Sequence, residues 1–98
     1  MTRRLTILGS TGSVGQQALD VVRAHPDRFE LVGLSAASNA DLLRAQAAEF
    51  KPQYVALEHG EKSALQDCAP NVLAGTGSAR ALAGAPADVV LNGIVENY

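Results

Sequence analysis

The stretch Leu5-Thr6-Ile7-Leu8-Gly9-Ser10-Thr11-Gly12-Ser13-Val14-Gly15 constrains the fold of this chain more than any other. An apolar run stops at a glycine, passes through a Gly/Ser/Thr turn and becomes helix-patterned at Val14. A parallel strand hands over in this way to a helix whose N-terminus faces a phosphate. Each glycine of the G-x-x-G-x-x-G spacing has its own task. Gly9 turns the chain off the strand, Gly12 removes a Cβ where a pyrophosphate would approach, and Gly15 lets helix and strand pack closely. Free N–H groups and the positive end of the helix dipole supply the anion site, with Ser10, Thr11 and Ser13 as possible hydroxyl donors. The first acidic residue is Asp20, so nothing local repels a phosphate. The competing reading is an ordinary strand-to-helix turn that uses glycine for geometry alone.

Strand and helix patterns alternate along the rest of the chain. Residues 4–8 read as a strand buried on both faces, and residues 13–24 as a helix with Val14, Ala18, Val21 and Val22 on its inward stripe. His25 before Pro26 ends that helix as a C-terminal cap. Residues 29–35 form the second strand. Ser38-x-x-Asp41 resembles a capping box for a helix over residues 40–50, with Leu43, Gln46, Ala47 and Phe50 inward. A third strand over 54–57, a weak helix over 61–68, a brief strand over 72–73 and a short helix over 79–83 follow. A fifth strand over 88–91 reads as apolar on both faces, with Asn92 and Gly93 closing it. This rhythm implies an α/β fold: a Rossmann-like, doubly wound parallel sheet in a three-layer αβα arrangement, as one domain over residues 1–98.

In such folds the end of the second strand meets the adenosine ribose, and an NAD site places an acid there. Here Ser35-Ala36-Ala37-Ser38-Asn39 carries none before Asp41, which favours NADP. No basic residue sits in the loop, and Arg23 and Arg44 are the candidate substitutes. Gly75-Thr76-Gly77-Ser78 has the composition of a second phosphate loop but reads as a plain turn. His59 reads as exposed and inert, and Cys68 as a small core residue.

The balance of the chain excludes several classes. A net charge of -2 with scattered charges and 4% aromatic residues gives no surface for nucleic acid or an acidic membrane. One cysteine rules out an internal disulfide. The apolar run after Arg3-Arg4 breaks at Gly9, too soon for a signal core or a membrane span, so the chain reads as cytoplasmic. No metal-ligand cluster and no nucleophile motif are evident.

The first block, continued by Leu19-Asp20-Val21-Val22, resembles the N-terminus of 1-deoxy-D-xylulose 5-phosphate reductoisomerases. Ala36 to Asn39, Glu49-Phe50-Lys51-Pro52, Asp88-Val89-Val90 and Gly93-Ile94-Val95 follow in the family's order. The resemblance implies the NADPH-binding part of an enzyme of non-mevalonate isoprenoid biosynthesis. That enzyme rearranges a ketose phosphate and reduces the resulting aldehyde to methylerythritol 4-phosphate. It also implies a divalent metal, Mg or Mn, a phosphosugar substrate held by other domains, and a homodimeric parent. Carried over by position, Gly9, Thr11, Gly12, Ser13 and Val14 cradle the cofactor phosphates, and Ala37, Ser38 and Asn39 lie by the 2′-phosphate. Gly93, Ile94 and Val95 run beside the nicotinamide. Neither catalytic residues nor metal ligands are expected in this chain, and no turnover by it alone.

Two departures stand out. The family has a glycine and then a basic residue before the asparagine, where this chain has Ala37 and Ser38, so one cation over the 2′-phosphate is missing. The family continues with Gly-Ala-Ala-Gly where this chain reads Glu96-Asn97-Tyr98. A truncated piece with foreign final residues is the resulting expectation, and with it self-association through an uncovered sheet edge. The alternatives are another NADP-dependent oxidoreductase, such as a semialdehyde dehydrogenase, or a non-catalytic nucleotide- or coenzyme A-binding domain.

Overall fold

The structure is a computed structural model that describes residues 2–94. Its strands are β1 (Arg3–Leu8), β2 (Phe29–Ala36), β3 (Tyr54–Leu57), β4 (Asn71–Ala74) and β5 (Val89–Asn92). Its helices are α1 (Ser13–Ala24), α2 (Ala40–Phe50) and α3 (Ser78–Ala83). All strand pairs are parallel, in the order β4-β3-β2-β1-β5. The chain steps outward from β1 to β4 and then crosses back to lay β5 on the other side of β1. The reversal creates a switch point at the carboxyl ends of β1 and β5, where open parallel sheets take their ligands.

One face of the sheet carries the main core, in which Leu19 and Val22 of α1 and Leu43 and Ala47 of α2 meet Ile7 and Leu34. The other face is covered by α3, whose Leu82 packs on Leu8 and Ala56. The result is the doubly wound, three-layer αβα arrangement. An extra residue in β2 keeps it in phase. Leu5 pairs with Leu31 but Thr6 with Gly33, leaving Val32 as a bulge. Leu31 and Leu34, three apart, therefore both reach the α1–α2 core. Gly33 turns to the α3 face, where a Cβ would press on Leu82 Cδ1 at 2.8 Å.

Three expectations are corrected. Val14 and Val21 are 47% and 53% exposed, and the inward stripe of α1 is Gly15, Leu19 and Val22. Gly15 sets this roll, because the helix leans its glycine face on the preceding turn and swings both valines outward. β5 is not buried on both faces: Val89 and Val90 are exposed. Among the described residues β5 pairs only with β1 and forms an edge. The segment 61–68 contracts to a 3₁₀ turn, Lys62–Leu65. Asp67, at a φ of 65°, leaves the right-handed helical region there, and Leu65 alone of the turn is fully buried.

Candidate functional site

The turn after β1 is held from three sides. Gly9 sits at a φ of +73°, a conformation that favours glycine. Its N–H donates to Ser35 Oγ at 3.0 Å, and the Ser10 N–H donates to the Ser35 carbonyl at 2.7 Å. A Cβ on Gly9 would lie 3.0 Å from Gly93 C and O and from Ile94 N. A Cβ on Gly15 would collide with the Gly9 carbonyl oxygen and come within 2.6 Å of Ser10 Cα. Two of the three glycines are thus required by the protein itself. Gly12 is not. Its φ and ψ of −79° and 173° suit any residue, and a Cβ would find its nearest neighbour, Gly9 O, at 3.5 Å.

Gly12 is also the N-cap of α1. No side chain caps this helix, and its first turn holds no acid. The leading N–H groups therefore have no side-chain cap, and the positive end of the dipole there can accept an anion. Ser13 and Val14 are exposed beside it and Thr11 is half-buried. Ser10 is not a ligand donor, contrary to the reading of its hydroxyl from sequence. It is fully buried, donates from Oγ to Gln46 Oε1 at 2.7 Å, and receives Gln46 Nε2 on its carbonyl at 2.9 Å. Gln46 is therefore a positioning residue of the turn. Its signal in the sequence was a glutamine on an otherwise apolar helix stripe.

Across the end of β2, Ala37, Ser38 and Asn39 are exposed. The cap of α2 is Asn39, whose Oδ1 accepts the Leu42 N–H at 3.2 Å, and not Ser38. The helix starts at Ala40, so the residue adjacent to it reaches the third helical N–H. Both candidate substitute arginines are engaged elsewhere. Arg23 bridges Glu49 and Asp20, and Arg44 donates to the carbonyls of Ala64 and Gln66. Gly93 is buried and donates to Leu8 O at 2.8 Å, which brings it to the α1 end of β1. Ile94 follows, 45% exposed. Val95 and residues 96–98 lie outside the described residues. Gly9, Gly12, Gly93 and Ile94 thus converge at the switch point. Ala37, Ser38 and Asn39 stand one strand away, and Ser35 ties the two groups together.

The turn at residues 75–78 ends differently. Glu58 accepts the Gly77 N–H at 2.7 Å, the Ala79 N–H at 3.0 Å and the Ser78 hydroxyl at 3.3 Å. These bonds, led by the one from Gly77, hold its carboxyl below the usual glutamate range. An internal carboxylate fills this helix start, so the plain-turn reading stands. Cys68 packs against the core just before β4 begins, toward the amino ends of the strands and away from the switch point. A hollow between Val22, Pro26, Phe29 and Phe50, below the Arg23–Glu49 bridge, is also at that opposite end. Among the described residues no group of three His, Cys, Asp or Glu could hold a metal ion, and no helix is long and apolar enough to cross a membrane.

The model of the 1-deoxy-D-xylulose 5-phosphate reductoisomerase family matches residues 5–98. Among similar proteins, the 1-deoxy-D-xylulose 5-phosphate reductoisomerase of Geotalea uraniireducens is 44% identical over 95% of this chain and 26% of its own length. That of Beutenbergia cavernae is 48% identical over 94% of this chain and 25% of its own. A solved structure of the enzyme from Zymomonas mobilis, in complex with NADPH, matches 98% of this chain and 27% of its own at a TM-score of 0.84 and 25% identity. A structure of the reductoisomerase with NADPH, fosmidomycin and magnesium matches 93% of this chain and 19% of its own at a TM-score of 0.61 and 29% identity. The chain spans about a quarter or less of the length of the curated relatives it matches.

Proposed function

Since this chain belongs to the 1-deoxy-D-xylulose 5-phosphate reductoisomerase family, we propose that it is the NADPH-binding part of such an enzyme. The parent would convert 1-deoxy-D-xylulose 5-phosphate to 2-C-methyl-D-erythritol 4-phosphate in non-mevalonate isoprenoid biosynthesis. The observation that carries the reading is Gly12, a glycine that neither backbone conformation nor internal packing requires, at the uncapped start of α1. A pyrophosphate close to the backbone does require it.

Thr11, Gly12, Ser13 and Val14 receive the pyrophosphate, on a turn shaped by Gly9 and anchored through Ser10 to Gln46. Ala37, Ser38 and Asn39 border the ribose 2′-phosphate. Gly93, Ile94 and Val95 run beside the nicotinamide. When bound, NADPH supplies the hydride that reduces the aldehyde formed by rearrangement. The work of this chain is to bind and orient it. The described residues bring together no set of side chains that fits a metal, and a Mg or Mn ion would be held elsewhere in the parent. The phosphosugar would likewise be held outside this chain, in a homodimeric, cytoplasmic parent without nucleic-acid or membrane partners.

Parallel calorimetric titrations with NADPH and coenzyme A test this reading. Saturable NADPH binding without coenzyme A binding is expected. Coenzyme A binding alone would overturn the family's cofactor as the ligand of this site.

A further inference from the structure

We propose that His59 supplies the imidazole donor that recognises the 2′-phosphate of NADPH, and so sets the preference for NADPH over NADH. The inference rests on the cofactor reading above and adds a specificity residue to it.

The chain does not leave the sheet when β3 ends at Leu57. Glu58 donates its N–H to Ala36 O at 3.0 Å, and His59 donates its N–H to Ala37 O at 2.7 Å. The ladder is thereby extended past the last strand residue, and His59 lies beside Ala37, next to the exposed Ser38 and Asn39. His59 is itself exposed. It flanks the loop on the β3 side, while the phosphate turn flanks it on the β1 side through Ser35. In a dinucleotide fold the adenosine ribose sits beyond this end of the second strand.

A 2′-phosphate is an anion with three strong acceptor oxygens and calls for several hydrogen-bond donors. The loop offers the Ser38 hydroxyl and the Asn39 amide nitrogen, since Asn39 Oδ1 is taken by the Leu42 N–H. It contains no basic residue. Arg23 and Arg44 are committed to other partners. His59 is the basic residue that a hydrogen bond ties to the loop. The adjoining carboxylate of Glu58 is drawn to the start of α3 by three hydrogen bonds. That keeps the neighbouring negative charge bound to other donors. The basic side chain that the loop itself lacks is thus supplied from the neighbouring strand.

The test is titration of the native protein, His59→Ala and His59→Lys with NADPH and with NADH. Thermal melts should superimpose, because only the backbone of His59 holds the loop. In His59→Ala the NADPH affinity should fall about five- to tenfold, with NADH changed less than about twofold. His59→Lys should restore the preference. An unchanged ratio in His59→Ala, an equal loss of both cofactors, or a native protein without preference would overturn the inference while leaving the cofactor site in place. A folded native protein that binds neither dinucleotide would overturn the cofactor reading, and the role of His59 with it.

Discussion

Residues 9–15 and residues 75–78 use the same residue types, and each turn opens a helix, yet they end in opposite electrostatic states. At α1 the helix start has no acid and no side-chain cap. At α3 the corresponding N–H groups of Gly77 and Ala79 are already bonded to Glu58. Glycine and hydroxyl content makes a helix start able to accept an anion. Whether an external anion finds it vacant depends on where the nearest carboxylate lies after folding. Glu58 stands 19 residues before Gly77 and reaches it only because β3 and β4 are neighbours.

The sharpest way to break the first turn is Gly15→Ala. Its Cβ would meet backbone atoms of Gly9 and Ser10, which cannot move aside as a side chain can. We expect a loss of about 3 kcal/mol or more in chemical denaturation, with cofactor binding lost alongside. Gly12→Ala separates ligand from fold. Its unfolding free energy should fall by no more than about 1 kcal/mol, the ordinary cost of alanine at a helix N-cap, while calorimetry should show NADPH affinity reduced about tenfold or more. A large stability loss there would mean that Gly12 serves the protein and not a ligand.

Glu58→Gln probes the other side of the comparison and should have the smallest effect, about 1 kcal/mol in denaturation at neutral pH. Its pH dependence has a definite sign. The folded-state acidity constant of Glu58 is displaced below its ordinary value near 4.5. The stabilisation is therefore complete above that value and lost as the pH falls through the depressed one. Native and Glu58→Gln proteins should differ most in stability at neutral pH and converge on acidification. NADPH affinity at neutral pH should be the same in both.

Much of this architecture was legible in the sequence because local and global signals agreed. The boundaries of α1 and α2 followed from His25-Pro26, Lys51-Pro52 and the position of the glycine turn. What escaped depended on contacts between distant segments. The roll of α1 is set by the fit of Gly15 against Gly9, so the apolar residues Val14 and Val21 face outward against their own pattern. The Ser10 hydroxyl has the composition of a ligand donor, but Gln46, 36 residues away, holds it. The bulge at Val32 did have a local marker in the adjacent Gly33, since a glycine inside a strand pattern signals a bulge or a close backbone approach. At the site, the structural roles of Gly9 and Gly15 were readable from spacing alone. The filling of the second turn by Glu58 was not.

The most direct test of the central contrast is a backbone amide NMR titration with NADPH. The amides of Ser13, Val14 and Gly15 should shift in a saturable way, while those of Gly77, Ser78 and Ala79 stay in place. Saturable shifts at residues 77–79, or unmoved amides at residues 13–15 while NADPH binds, would contradict the assignment of α1 as the open anion site.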